Sequence, residues 1–489
     1  MDNQGQTIGS SIVLKFIERF GTQIVNIVLN IILARLLVPE DYGVLAILNV
    51  FVVLAQVISQ NGINNALVQK SEPDELDYST ALYLSLAIAG GIYSILFVSA
   101  QFIAAFYSMS QITLYLRVLG VVLFPGAICA IYNARVMKKM QFRIVMVTGV
   151  IANISACVLG VITAYYGFGV WSLIITQMAS AFIALFMMMF MIKERFSFEF
   201  SSARAKSIMS YGNKIIIASI IDNIYYDAES LLIGKILSKE VLGFFTNART
   251  YPLRVVSSIQ ETIASVIFSA LANEQHNIQR MREIHCKAIQ LFSFLMFPML
   301  FGFAAVSREF ISVMLTDKWM PCLVPMQAFS IGFAFIALSA PNIQVIKATG
   351  KSDLNLEVEM LRKVIIFIGL LFSIYFWGTI EAISIMSAIT TVGTALMVAF
   401  VGGRVISFSL VEQLNAIFKN IMATLGMMLT LYAVSLIVTD ELSGFRILVL
   451  KVFIGAIVYF IIALITKNES LKFILDNGKV VLARLSGKG

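Results

Sequence analysis

Long apolar segments recur along the whole of this 489-residue chain, and they constrain its fold more than any other feature. We find about fourteen segments, each with the roughly 20 mostly apolar residues that a helix needs to cross a bilayer. Only 13% of the residues are charged, about half of the share that is usual in a soluble protein. The sequence therefore predicts an all-α, polytopic membrane protein with about fourteen transmembrane helices joined by short connections.

The basic residues predict how these helices are oriented. Of the 36 Lys and Arg residues, 23 lie in one set of alternate connections and eight lie in the other set. Because cytoplasmic loops are enriched in Lys and Arg, we expect both termini in the cytoplasm. The net charge of +8 then follows from membrane topology, and we expect no nucleic-acid partner.

Two short segments of the chain are copies of one another. Residues 33–44 read LARLLVPEDYGV, and residues 233–244 read IGKILSKEVLGF. They align without a gap at an offset of 200 residues, with a basic residue in each copy and three identities: Leu37 with Leu237, Glu40 with Glu240, and Gly43 with Gly243. Each copy links the first and second helix of a six-helix set, so both sets share one orientation.

Parallel repeats of this kind are related by an axis along the membrane normal. We therefore expect two six-helix lobes that face each other across a pseudo-two-fold axis. The predicted organisation has four parts: an N-terminal lobe (1–205), a C-terminal lobe (206–405), two extra transmembrane helices (406–466) and a basic cytoplasmic tail (467–489).

Polar residues concentrate on four of the predicted helices, near 12–34, 41–61, 208–233 and 240–268. These helices are equivalent members of the two repeats. Spacings of three, four and seven place most of their polar residues on one helical face. A charge at membrane depth costs at least about 2.5–3.5 kcal/mol, so it marks a cavity or a partner. Pairing inside a packed bundle remains open for any single residue, but the set as a whole predicts a hydrated cavity between the lobes.

The candidate site residues come from these four faces. The substrate-binding candidates are Lys15, Arg19, Asn26, Asn49, Gln56, Lys214, Arg249 and Arg254. The candidates for ion coupling are Glu18, Asp222, Asp227, Glu229 and Glu261, because desolvated carboxylates take up protons more readily. A lining of cations and amides suits an anionic, sugar-bearing substrate, since Arg and Lys bind phosphate. We expect no catalytic residue, metal or cofactor.

Three stretches carry a resemblance to a known family: LARLLVPEDYGVLAI (33–47), NGINNALVQK (61–70) and YYGFGVWSL (165–173). With the repeat at 233–244, they resemble the polysaccharide transporter branch of the multidrug/oligosaccharidyl-lipid/polysaccharide (MOP) exporter superfamily over nearly the full length. The resemblance implies two lobes around a cavity that opens alternately to each side. It also implies a flippase that moves undecaprenyl-diphosphate-linked oligosaccharide repeat units to the outer leaflet, for O-antigen, capsule or exopolysaccharide synthesis.

The resemblance carries further expectations. Cavity arginines are thought to hold the diphosphate in related flippases, which makes Arg19, Arg249 and Arg254 the first candidates here, with Lys15 and Lys214. The two extra helices match fourteen-helix members, and in the lipid II flippase such helices form a groove for the lipid tail. We expect a monomer in the bacterial inner membrane that contacts membrane lipids, the polyprenyl-diphosphate-linked glycan and the polysaccharide polymerase machinery.

Two other functional classes stay open at this point. One is an ion-coupled exporter of small molecules like the multidrug and toxic compound extrusion (MATE) proteins, against which the positive excess of the predicted cavity argues. The other is a membrane glycosyltransferase or ligase. Such an enzyme needs an acidic or phosphate-activating motif near a sizeable outer loop, and the longest predicted outer loop, near 307–322, contains no such motif.

Overall fold

A computed structural model shows that every regular element among the described residues is helical. The structure describes residues 27–437 and 444–473 apart from 193, 195 and 198, and it leaves out the side chains at 214, 218, 221, 222, 225, 226 and 261–266. The predicted all-α class is confirmed.

The helices follow one another with short connections. The first ten are α1 Ile27–Leu36, α2 Pro39–Gln56, α3 Gly62–Gln69, α4 Glu75–Phe106, α5 Gln111–Leu119, α6 Leu123–Lys138, α7 Phe142–Tyr165, α8 Val170–Met191, α9 Ser202–Ile236 and α10 Lys239–Asn273. The next seven are α11 Ile278–Phe310, α12 Leu323–Ala334, α13 Ile336–Ala348, α14 Ser352–Phe376, α15 Ile380–Val405, α16 Leu410–Ile437 and α17 Gly444–Ile465. Short π- or 3₁₀-helical segments extend or join some of them, at Val57–Asn61, Gly120–Val122, Ile311–Leu315 and Asp317–Cys322.

Ten helical stretches of the described residues are long and apolar enough to cross a membrane. The chain is therefore a multi-pass membrane protein, whereas the count of fourteen stays a prediction. Helices α9 and α10 are not among the ten, although each has 35 residues and a helix rises about 1.5 Å per residue. They are the two helices on which the sequence places polar stripes in the second repeat.

The helices form two compact units, which we call the N-terminal unit (residues 27–246) and the C-terminal unit (residues 247–473). Their boundary falls inside α10. In the N-terminal unit, α7 packs along α8, α4 packs against α5 and α6, and α9 packs against α2 and α3. One core cluster joins Ile63 and Leu67 of α3 to Tyr78 of α4 and Ile131 of α6. Burial of these apolar side chains holds the α3 end of the unit together.

The two copies of the sequence repeat meet inside the N-terminal unit. Helix α2 begins at Pro39 and α10 begins at Lys239, at the same 200-residue offset as the repeat. A Cβ atom added to Gly43 would lie 1.7 Å from the backbone oxygen of Lys239, and one added to Gly243 would lie 1.9 Å from that of Pro39. The contact is reciprocal, and only glycine allows such a close approach of two backbones.

The C-terminal unit is built around α11, which packs against α12, α13, α16 and α17. Phe294 of α11 packs with Met427 and Leu431 of α16 and with Tyr459 of α17. The hydroxyl of Tyr459 donates a hydrogen bond to the backbone oxygen of Phe294 at 2.9 Å. The last two helices are therefore packed onto α11 within this unit.

Candidate substrate-binding site

The structure describes six of the thirteen predicted site residues in full. Lys15, Glu18, Arg19 and Asn26 lie outside the described residues. Lys214 and Asp222 belong to α9 and Glu261 belongs to α10, but their side chains also lie outside the description. The six others are Asn49 and Gln56 of α2, Asp227 and Glu229 of α9, and Arg249 and Arg254 of α10.

Two of the candidate residues, Asn49 and Gln56, are amides on α2, and Asn49 contacts a neighbouring helix directly. The side-chain amide of Gln177 in α8 donates a hydrogen bond to Oδ1 of Asn49 at 3.0 Å. Both side chains are half-buried. Gln56 is the last residue of α2 and is also half-buried. Asn49 and Gln56 are thus partly shielded within the N-terminal unit rather than fully exposed.

A π-helical turn at Val57–Asn61 lies between α2 and α3. Such turns are rare in proteins, and those that occur are often found at functional sites. Gln60 lies in the turn against Gly126 of α6, where an added Cβ would lie 2.3 Å from the Gln60 amide nitrogen. That nitrogen, and Oδ1 of Asn64 one turn later, are buried and find no hydrogen-bond partner within the described protein. Buried amide atoms are normally satisfied, so this segment has hydrogen-bonding capacity to spare.

The carboxylates of α9 and the arginines of α10 belong to different units. Glu229 is buried, with 9% of its surface exposed, and Asp227 is half-buried two residues earlier. Arg249 and Arg254 are half-buried in the part of α10 that belongs to the C-terminal unit. Among the described candidates, the amides and carboxylates therefore lie in the N-terminal unit, and the guanidinium groups lie in the C-terminal unit. That these groups line one cavity stays a prediction.

Sequence reasoning missed a buried cation in the N-terminal unit. We assigned Arg135 to a loop, but it lies in α6 with only 1% of its surface exposed. Its guanidinium pairs with Glu75 at 2.6 Å and with Glu194 at 3.2 Å. It also lies over the rings of Tyr78 and Phe196, 4.5 and 5.1 Å from their centroids. These contacts fasten the connection between α8 and α9 to α4 and α6.

Further polar contacts continue this attachment toward α9. The backbone N–H groups of Ser197 and Ser201 donate hydrogen bonds to the hydroxyls of Ser79 and Thr80, at 2.9 and 3.1 Å. Arg204, in the first turn of α9, pairs with Asp74 and Asp77. The hydrogen bonds from Arg204 and from the backbone N–H of Asp77 lower the pKa of Asp74 to about 2. The start of α9 is thereby held by α4.

The C-terminal unit contains a second charged pair that sequence reasoning missed. We assigned Lys451 and Glu309 to outer loops, but they lie in α17 and α11 and form an ion pair. Their side chains are only 4% and 16% exposed. Lys451 stands at one end of an apolar cavity of about 370 Å³, which runs between α11, α16 and α17. Neither residue has a sequence neighbour that signals the pairing, because 142 positions separate them.

A family model decides where this chain belongs. A model described as "Polysaccharide biosynthesis protein" matches residues 32–324, which is more than half of the chain. The chain belongs to this family. The matched range contains α2, α3, α9 and α10 in full, and so it contains every described candidate residue.

Individual relatives agree with the polysaccharide biosynthesis family. The chain is 23% identical to the teichuronic acid biosynthesis protein TuaB of Bacillus subtilis over 78% of this chain and 80% of that protein. It is 21% identical to the succinoglycan biosynthesis transport protein ExoT of Rhizobium meliloti over 99% of this chain and 98% of that protein. Its fold is similar to that of the lipid II flippase MurJ in an inward closed conformation, with a TM-score of 0.74 and 14% sequence identity. The match covers 93% of this chain and 98% of the MurJ chain.

Proposed function

We propose that this protein is a flippase for polyprenyl-diphosphate-linked oligosaccharide repeat units, which it moves from the cytoplasmic to the outer leaflet. Membership of the polysaccharide biosynthesis family supports this most strongly, and the relative ExoT is named as a transport protein. The spare amide atoms of Gln60 and Asn64 suit the hydroxyl groups of a sugar. A transporter rather than an enzyme agrees with the family and with the flippase fold.

In the proposed mechanism, the polar sugar-diphosphate headgroup is the part of the substrate that needs a path across the apolar bilayer. The lipid tail stays in the bilayer while the sugar diphosphate crosses in a hydrated cavity between two lobes that rock about the repeat interface. Arg19, Arg249 and Arg254, with Lys15 and Lys214, are proposed to hold the diphosphate, because guanidinium groups bind phosphate in bidentate fashion. Binding has to be moderate, since a tightly held headgroup would not leave.

We further propose that the cavity formed by α11, α16 and α17 accommodates part of the prenyl chain. Its walls include Phe294, Met299 and Phe460. Lys451 is the one charged residue among the described ones that line this cavity, and it forms an ion pair with Glu309. A neutral, apolar cavity favours hydrocarbon over a charged headgroup. This assignment rests on the proposed substrate class.

Ion coupling, topology and assembly complete the proposal. The carboxylates Glu18, Asp222, Asp227, Glu229 and Glu261 are proposed to bind the coupling ion. We place the protein in the bacterial inner membrane as a fourteen-helix monomer with both termini in the cytoplasm, beside the polysaccharide polymerase. Reporter fusions at both termini test the topology. Transport in proteoliposomes that ignores both proton and sodium gradients would refute the coupling.

The decisive experiment measures surface polysaccharide in cells that lack the gene. Loss of the gene should remove the glycan and leave lipid-linked repeat units on the cytoplasmic face. The double variant Arg19→Ala/Arg254→Ala should fail to restore the glycan while the protein stays in the membrane. Arg280→Ala is the matched control, because Arg280 is 53% exposed and pairs only with Glu283 on the same helix among the described ion pairs. Normal glycan in the double variant would refute the arginine site.

A further inference from the structure

A second cavity lies in the N-terminal unit, where α2, α4 and α9 meet. Its volume is about 500 Å³, within the range of sites that bind small organic ligands. Phe51 of α2, Phe102 of α4 and Leu231 of α9 form its walls, and Lys235 is the one charged residue among the described ones that line it. No step of the proposed transport mechanism uses this cavity.

Lys235 is a cation without a carboxylate partner among the described residues. Its ammonium group donates a hydrogen bond to the backbone oxygen of Phe106 and lies 4.4 Å from the centroid of the Phe106 ring. Phe106 is the last residue of α4, and the C-terminus of a helix attracts a cation. These contacts position the ammonium group, and none of them supplies a carboxylate from the described residues.

The cavity opens toward the surroundings of the N-terminal unit. Phe102 and Phe106 are 72% and 56% exposed, although both lie in a helix that is long and apolar enough to span the membrane. The hydroxyl of Tyr107 donates to the backbone oxygen of Leu231 at 3.4 Å and joins the two walls. Helices α4 and α9 both end here, at the side that the basic-residue distribution predicts to be the outer one. A lipid of that leaflet would have direct access.

We propose that this cavity binds an anionic phospholipid of the bilayer. Its phosphate contacts Lys235, and one acyl chain lies against Phe51, Phe102 and Leu231. A single ammonium group matches a singly charged headgroup, because basic pockets between transmembrane helices bind anionic lipid headgroups. A diphosphate favours the bidentate fork of arginine, and none of the described residues that line the cavity is an arginine. The bound lipid joins α2, α4 and α9 and so stabilises the N-terminal unit.

Native mass spectrometry of the full-length protein from mixed micelles tests the proposal, with phosphatidylglycerol and phosphatidylcholine as the two probes. The wild type should retain phosphatidylglycerol preferentially. Lys235→Gln should lower the ratio of the two bound lipids about fivefold, the effect of one lysine beside anionic lipid. Leu231→Trp should reduce the occupancy of both lipids, because the larger ring fills the cavity.

Arg117→Gln is the matched control. The guanidinium of Arg117 also donates to a helix carbonyl, that of Phe97, and lies 4.1 Å from the Phe97 ring, but it does not line the cavity. This variant should keep the wild-type lipid ratio. Lys235→Arg, which keeps the charge, should do the same and shows that the site tolerates substitution. The proposal is overturned if Lys235→Gln keeps the ratio, or if undecaprenyl phosphate displaces phosphatidylglycerol at equal mole fraction.

Discussion

The two units each contain an apolar cavity with a lysine at one end, and the two lysines differ in what they contact. In the C-terminal unit, Lys451 is 3% exposed and pairs with the carboxylate of Glu309. In the N-terminal unit, Lys235 is exposed, and its ammonium group interacts with the backbone carbonyl and the ring of Phe106. One cavity therefore has a lysine in a neutral ion pair, and the other has a lysine for which the described residues supply no carboxylate partner.

This difference separates a structural role from a binding role. A buried ion pair stabilises a fold little, but it becomes costly when one partner is removed. An exposed lysine costs little to keep or to lose, and its charge is available to a ligand. The same residue type at the same kind of position therefore predicts opposite results for stability and for lipid binding.

The largest effect is expected for the buried pair. Lys451→Met leaves the Glu309 carboxylate buried without its cation and should destabilise the protein by about 3–5 kcal/mol. The double variant Lys451→Met/Glu309→Leu should recover stability to within about 1 kcal/mol of the wild type, because apolar residues often replace a buried pair without loss. Thermal and denaturant unfolding of the purified protein measure both. A neutral single variant would contradict the structural role.

Arg135 is a third case, because it is a buried cation like Lys451 but its carboxylate partners are exposed to solvent. Its two carboxylate partners, Glu75 and Glu194, are 58% and 45% exposed. They remain hydrated when the cation is removed, so Arg135→Met should cost about 1.5–3 kcal/mol, the range for hydrogen bonds to charged groups. Lys139→Met is the control, because Lys139 contacts the same Glu194 but is 46% exposed and should cost at most about 1 kcal/mol. Equal losses in the two unfolding curves would refute the distinction.

The sequence is sufficient to predict the all-α membrane class, because that class depends on the length and composition of local apolar segments. The repeat itself is visible in the sequence as a fixed offset of 200 residues, and α2 and α10 begin at that offset in the structure. The direct contact of Gly43 with Lys239 was not predictable, because a backbone approach leaves no pattern beyond a glycine. The π-helical turn at Val57–Asn61 was missed for a related reason, since its residues satisfy an ordinary helical spacing.

The paired charges were not predictable because their partners are distant in sequence. Arg135 meets Glu75 across 60 positions, and Lys451 meets Glu309 across 142. Arg135 and Glu309 lie near the ends of their helices, where a charge is ordinarily assigned to a loop, and Lys451 lies about two turns inside α17. Only packing against a second helix shows that the side chain is buried. That the six described candidate residues form one binding site also stays a prediction. Whether they lie close together depends on contacts between helices, which local sequence patterns do not determine.

Acid should weaken the attachment of α9 to α4 more than it affects either lysine. Arg204 and the backbone of Asp77 hold the pKa of Asp74 at about 2, and Lys139 and Arg135 lower the pKa of Glu194. A lowered pKa in the folded state gives stability that is present above the unfolded pKa, near pH 4, and is lost as the pH falls toward 2. Unfolding temperatures measured from pH 7 to pH 2 should fall only below about pH 4. Asp74→Asn should reduce this slope, and a transition centred above pH 5 would contradict the assignment.

The smallest effect on the free energy of unfolding is expected for Lys235. Lys235→Gln should leave unfolding in lipid-free detergent within about 0.5 kcal/mol of the wild type, because an exposed lysine with only a carbonyl and a ring as contacts contributes little. Added phosphatidylglycerol should raise the unfolding temperature of the wild type and of Lys235→Arg, but should raise that of Lys235→Gln much less, because a ligand stabilises only the state that binds it. Phosphatidylcholine should not distinguish these proteins. A large loss of stability in detergent alone would instead give Lys235 the structural role of Lys451.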